Sequence, residues 1–265
     1  MMLWMLAGLA LAQDPDFDET VKDAEEVEKA EGSVSAEIGG SFTGGNTEFY
    51  TASASLAGAY KWKNNGFSAR MGALYGRGRA DSDASGSLDA TELAAPMVQT
   101  AGRFDTEARY DRFFGEKNSL YLLAGALIDS FAGYDLRTHE QFGYSRLLVS
   151  NDTTNLISEI GIDYAQENYV AGVDPNYADV IAARVMAGFN HKFSKTVGFE
   201  ETVEAFENLL VLEDLRVNNH AAVSVGLSDK MTLKLSHDLR FDNQPVEGFR
   251  PLDHTALVTL TATLL

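Results

Sequence analysis

"GRFDTEARYDRFF", residues 102–114, is the stretch on which the reading of this chain turns. Arg103, Asp105, Glu107, Arg109 and Asp111 take alternate positions, and Phe104, Thr106, Ala108 and Tyr110 take the positions between them. Successive side chains point to opposite faces in an extended strand, where the period is two, whereas a helix would scatter these charges round its circumference. The stretch is therefore a strand with one charged face and one apolar face that has aromatic residues at its ends.

The same period runs from Gly32 to the end of the chain. In "SVSAEIGGSF" (33–42), Val34, Ala36, Ile38 and Phe42 oppose Ser35, Glu37 and Ser41. In "EFYTASASLAGAYKW" (48–62), Tyr50, Ala52, Ala54, Leu56, Tyr60 and Trp62 oppose Thr51, Ser53 and Ser55. "FSARMGALY" (67–75) sets Phe67, Ala69, Met71, Ala73 and Tyr75 against Ser68 and Arg70. Eight further segments follow the charged stretch, at 119–131, 136–149, 155–169, 179–193, 197–207, 217–228, 231–241 and 254–265. The total is 12 strands, each of roughly 10–15 residues against the usual globular length of about 5–6.

The connections alternate. Short turns follow the even strands, at Asn64-Asn65-Gly66, Gly115–Asn118, Ser150–Thr153, Ser194–Thr196 and Ser228–Lys230, while longer connections near 77–99, 169–178, 208–216 and 243–252 follow odd strands. An even number of long antiparallel strands with short turns at one end and longer loops at the other is the layout of a bacterial outer-membrane barrel. About eight to ten residues at about 3.3 Å, tilted about 40°, span roughly 20–25 Å, which matches the apolar band of such a barrel. Tyr50, Tyr60, Trp62, Phe67, Tyr75, Phe104 and Tyr110–Phe114 bracket that band as aromatic girdles. Lipid offers no hydrogen-bond partner to the backbone, so a sheet embedded in it has to close on itself. The expected fold is thus all-β: a closed antiparallel up-and-down transmembrane β-barrel of about 12 strands over 32–265. The alternative is a soluble β ligand-binder. Its sheets would bury one face in a dry core, whereas here the face opposite the apolar one carries charge on nearly every strand.

"MMLWMLAGLALA" (1–12) is an unbroken apolar run ending in an A-x-A pattern, which predicts a secretory signal peptide. It is shorter than the about 20 residues a membrane-spanning helix needs. No Lys or Arg precedes it, so either the α-amino group supplies the positive end or the true start lies upstream. Residues 13–31 hold nine acidic residues and two lysines and predict a solvated acidic tail on the periplasmic side. The whole chain of 265 residues carries a formal net charge of -18 and a sequence pI near 4.6, which excludes nucleic acid as a partner. With no cysteine there is no disulfide, thiolate metal site or catalytic thiol.

"GGSFTGGNTEFY" (39–50) has the glycine content of a phosphate-cradling loop. Such a loop needs Gly-Lys-Ser/Thr opening a helix. Here Glu48-Phe49-Tyr50 enters another strand, so Thr43–Thr47 predicts a tight hairpin in which Gly44, Gly45 and Asn46 accept positive φ.

Several of these segments also carry a family likeness. Ser41-Phe42-Thr43-Gly44-Gly45-Asn46-Thr47 in the first hairpin, Gly133-Tyr134-Asp135-Leu136-Arg137 in the block 131–164, and "DHTALVTLTATLL" (253–265) resemble the YdiY-like salt-induced outer-membrane proteins, a family of unknown function. The resemblance covers about Gly32 to Leu265 and implies an outer-membrane barrel with no known activity. The partners expected of an outer-membrane barrel are outer-membrane lipid and lipopolysaccharide and the barrel-insertion machinery. Barrels of this kind commonly end on an aromatic residue that the machinery reads, whereas this chain ends Thr263-Leu264-Leu265, which predicts a weaker insertion signal.

The charged face supplies the candidate lumen-lining residues: Arg70, Arg103, Asp105, Glu107, Arg109, Asp111, Arg137, Glu159, Asp163, Arg184, Glu200, Glu204, Asp238 and Arg240, with Glu37, Asp129, His139, Lys192 and Lys234 beside them. Barrels of about 8 strands are filled by side chains and those of 16–18 hold a water channel, so twelve strands leave open either a salt-bridged plug or a narrow pore for small solutes and ions. The interleaved signs favour pairing. A lipid hydrolase would need Ser, His and an orienting group together on the outer wall. His220 and Ser224 lie four residues apart on one strand face, about 13 Å, and Ser236 and His237 face opposite ways. No G-x-S-x-G or H-E-x-x-H pattern occurs. Asp81, Asp83, Asp89 and Glu92 lack the twelve-residue spacing of a calcium loop. The sequence therefore predicts no catalytic residue, metal site or cofactor.

Overall fold

The computed structural model describes residues 31–43, 47–80 and 88–264. The signal-peptide segment, the acidic tail up to residue 30, the hairpin turn Gly44-Gly45-Asn46, and Asp81 and Asp83 lie outside the described residues. Twelve strands form the chain: β1 (Glu31–Thr43), β2 (Thr47–Trp62), β3 (Asn65–Ala80), β4 (Val98–Phe113), β5 (Asn118–Asp129), β6 (Tyr134–Ser150), β7 (Thr154–Tyr169), β8 (Tyr177–Lys192), β9 (Val197–Asn208), β10 (Leu215–Ser228), β11 (Met231–Asp242) and β12 (Leu252–Thr263). Each pairs antiparallel with the next, and β1 pairs with β12 from Ser35↔Thr263 to Gly40↔Val258, closing the barrel.

Alternation runs opposite to that of a soluble protein. On β7, Glu159, Asp163 and Glu167 are buried while Ile160 and Ile162 are exposed. On β11, Lys234 is buried and Leu235 is 59% exposed; on β8, Arg184 is buried and Val185 is 57% exposed. The outer wall is apolar over most of its area, although Glu140 and the Glu201–Asn219 pair also face outward. Aromatic rings ring the short-turn end: Trp62 lies 5.6 Å from Tyr60 and 6.4 Å from Tyr110, and Phe114 lies 6.2 Å from Tyr144. Within the expected bracket 110–114, Phe113 instead turns inward, where the Lys61 ammonium sits 5.3 Å from its ring centroid.

The short turns span 63–64, 114–117, 151–153, 193–196 and 229–230, and the opposite end carries the connections 81–97, 130–133, 170–176, 209–214 and 243–251. Strands run 12–17 residues, longer than the alternation of apolar residues alone predicts. Beyond the lipid band, the strand ends are polar or glycine-rich and read as loop. The stretch Gly76-Arg77-Gly78-Arg79 continues β3 as far as Ala80, where the sequence predicts loop from 77. The connection after it also forms a short helix, α1 (Ala90–Ala94). Asp89 and Glu92, weighed above for calcium, are its capping box: Asp89 Oδ1 accepts from the Thr91 and Glu92 amides at 2.7 and 2.8 Å, and Glu92 Oε2 accepts from the Asp89 amide at 3.1 Å.

A charge on the lipid face separates a membrane barrel from a soluble one. Leu235→Arg is expected to destabilise the protein by about 2–4 kcal/mol in urea unfolding from lipid vesicles, whereas Leu210→Arg, on the 209–214 loop, changes stability little. Equal small effects at both positions would contradict the lipid-facing assignment.

Candidate functional site: a closed, ion-paired lumen

The structure places the fourteen candidate lumen residues on the inner wall, and the ring of strands brings them together in four groups. Toward the short-turn end, Glu159 (β7) accepts from Arg109 (β4) at 2.7 Å through Oε1 and from Arg184 (β8) at 2.6 Å through Oε2. Arg109 also meets Asp111 at 2.7 Å, and Arg184 binds Glu204 on β9. β4 and β7 are three strands apart, so the Arg109–Glu159 pair crosses a chord of the lumen rather than following the wall. All three of these side chains are 0% exposed.

Tyr121 (β5) completes this layer. Its hydroxyl accepts from Arg184 Nη1 at 2.7 Å, and the Arg109 guanidinium carbon lies 4.2 Å from its ring centroid. Glycines provide room for the ring. Gly143 and Gly161 pair across β6 and β7, and a Cβ on either would sit 2.5–2.6 Å from the Tyr121 hydroxyl.

On the opposite wall, Lys234 Nζ bridges Glu37 and Glu200 at 3.1 and 3.3 Å, and His220 bridges Asp238 and Glu200 at 2.8 and 3.4 Å. At mid-height, Arg70 holds Glu107 at 2.7 Å and Asp105 at 3.2 Å, and His139 meets Asp163 at 3.2 Å. Nearer the long-loop end, Asp129 (β5) lies 3.2 Å from Arg240 on β11, the strand diametrically opposite, and 3.8 Å from Arg103. Glu167 similarly takes Arg137 at 3.0 Å and also Arg216.

Sequence reasoning missed Glu167, Arg216, Tyr121 and the lumenal role of His220. Glu167 lies at the same i+4 interval beyond Asp163 that separates Asp163 from Glu159, so alternation carried that signal. Arg216 fell outside a strand read as starting at 217, whereas β10 begins at Leu215. An inward aromatic such as Tyr121 has no sequence mark distinguishing it from a girdle residue. On the outer wall, His191 Nδ1 and Thr154 Oγ1 are 2.9 Å apart, with Phe189 and Phe193 against the ring, and His237 packs 5.9 Å from His254. Among the described residues, no group of three His, Asp or Glu side chains converges as a metal site.

Residues 36–264 match the family described as "Protein of unknown function, DUF481". The chain belongs to this family. No curated protein matches the sequence. Among solved structures, this DUF481 barrel is similar to the NanC porin at 10% identity, covering 88% of this chain and 100% of that one with a TM-score of 0.54. Weaker likenesses include the translocator domain of the autotransporter NalP from Neisseria meningitidis (12% identity, 89% and 88% covered, TM-score 0.45) and the KdgM porin (8% identity, 89% and 100% covered, TM-score 0.45). At these identities the likeness is one of fold: the DUF481 chain folds as an outer-membrane-porin type of barrel.

Removing Glu159 isolates the energetics of the lumen. Glu159→Gln leaves Arg109 and Arg184 buried with diminished compensation and is expected to cost about 3–5 kcal/mol, read as a lower temperature for conversion of the heat-modifiable gel band. Glu140→Gln on the outer wall serves as the control, with no comparable loss expected.

Proposed function

We propose that this DUF481 protein is a non-enzymatic barrel of the bacterial outer membrane, with a narrow lumen that the Arg109–Glu159–Arg184 layer closes in its resting state. The observation that carries this reading is the chord of fully buried ion pairs from β4 to β7 and β8, stacked on Tyr121. A water-filled pore would leave such charges solvated, whereas here they neutralise one another across the opening. Small solutes or ions pass only when the layer parts. The apolar outer wall and the girdles contact outer-membrane lipid and, at the long-loop end, lipopolysaccharide; the insertion machinery assembles the barrel. The short-turn end, where β1 starts and β12 stops, faces the periplasm.

Resemblance to the YdiY-like proteins supports a role in the response to salt. Abundance that rises after osmotic upshift would agree with that role, and unchanged abundance would remove it.

Planar-bilayer recording tests the closed lumen. The purified protein is expected to give at most small, rare current steps, while Arg109→Ser/Arg184→Ser gives larger, frequent ones. Large stable steps from the unaltered protein would overturn the closed-lumen reading, and recovery from the periplasm without detergent would overturn the location.

A further inference from the structure

We propose that the long-loop mouth of the barrel is a binding site for a small organic carboxylate. A cavity of about 120 Å³ opens there, bounded by the inner ends of β4, β6, β10 and β11 and by the 130–133 and 243–251 loops. A dry cavity of about 150 Å³ accepts benzene, so the space suits a molecule of that size.

The chemistry of the wall sets the charge of the ligand. Arg103, Arg137, Arg216 and Arg240 converge on the cavity from four strands, and Arg250 adds a fifth guanidinium from the loop. This concentration of cations occurs in a chain with a net charge of -18. Two of the carboxylates behind them are shared: Asp129 serves both Arg103 and Arg240, and Glu167 serves both Arg137 and Arg216, while Asp105 also meets Arg103, Asp163 meets Arg137, and Asp214 and Asp242 meet Arg216. Each guanidinium carries five N–H donors, and these carboxylates do not occupy all of them. Arg103 shows this directly. Its Nε is given to Asp105 at 2.8 Å, while Nη1 makes no hydrogen bond and has its carboxylate, Asp129, only at 3.8 Å, on a side chain 10% exposed. A buried donor left unmade costs free energy that an incoming acceptor returns, and a carboxylate matches the guanidinium fork in two-point geometry. Asp242 and Asp253 also line the cavity, but Asp242 is held by Arg216 at 3.2 Å and Asp253 stands exposed at the rim.

The remaining wall sets the body of the ligand. Leu127, Phe131, Phe206 and Phe241 give the cavity apolar surfaces, which favour an organic anion over a bare inorganic one. Below it, a chamber of about 40 Å³ shares Arg103, Arg137 and Phe206 with the cavity and reaches Arg70 and His139. The Arg109–Glu159–Arg184 layer lies on the short-turn side of that chamber, so the mouth is a blind pocket in this conformation. The site therefore does not depend on whether the barrel conducts.

Calorimetric titration of the full-length protein in detergent, with benzoate as the probe, tests the assignment. Saturable one-to-one binding is expected, with benzyl alcohol giving none and added salt weakening the interaction. Arg103→Gln and Arg240→Gln are each expected to weaken benzoate at least tenfold, and Ala132→Trp, which fills the cavity without removing charge, to abolish binding. Heat-modifiable migration confirms that each variant is a folded barrel. If the arginine variants fail to fold, Ala132→Trp decides alone. The assignment is overturned by any of four results: no saturable binding of benzoate; equal binding of benzyl alcohol; binding of inorganic phosphate without benzoate; or unaltered affinity in the folded variants.

Discussion

Everything in this molecule depends on the seam between β1 and β12. An unpaired amide or carbonyl in hydrocarbon costs several kcal/mol, so a sheet with two free edges is not admissible there. The seam holds six residue pairs, fewer than any other neighbouring pair of strands, and it is made possible by glycine. A Cβ at Gly39 would lie 2.3 Å from the Thr259 side chain, and one at Gly40 would lie 2.4 Å from the Thr51 carbonyl oxygen. The two glycines thus let β1 approach β12 on one side and β2 on the other. In "GGSFTGGNTEFY", the first glycine pair, Gly39-Gly40, serves closure of the ring.

Closure creates the second constraint, a small interior sealed from lipid and largely from water. Inward positions alternate with outward ones along every strand, so an apolar outer wall forces the polar residues inside. Charges there lose hydration, and isolated ones would be prohibitive. The structure meets this by giving each carboxylate of the central layer more than one donor. Glu159 takes two guanidiniums, and Tyr121 fills the space between those guanidiniums over a floor of paired glycines. Lumen filling and ion pairing are in this sense one solution: the pairs occupy the volume that a pore would need. Toward the long-loop end the ion pairs no longer fill the interior, and arginines from four strands line a cavity.

Much of the architecture was legible in the sequence because the signal is local. Two-residue alternation in 102–114 identifies a strand charged on one face, and its recurrence counts twelve of them. Boundaries were less legible. β3 persists through Gly76–Ala80 and β10 starts at Leu215 because pairing with neighbours, not apolar content, sets where a strand stops. The cost was Arg216, excluded from the candidate lumen by a strand start placed at 217. The acidic residues Asp89 and Glu92 show a converse ambiguity: the same carboxylates suit a cation or a helix cap, and only the presence of α1 selects the cap.

The sequence by itself determined the period, the number of strands, the end at which the long connections gather and which side chains share the inner face. These follow from peptide geometry acting over a few residues. Which cation meets which carboxylate was decided by the tertiary structure. Arg109 and Glu159 are 50 positions apart, Arg240 and Asp129 111 apart, and Lys234 and Glu37 197 apart. No local rule reaches across such separations. They are set by the register of every intervening pair of strands and by the closure of the ring, which together bring opposite walls within hydrogen-bonding distance.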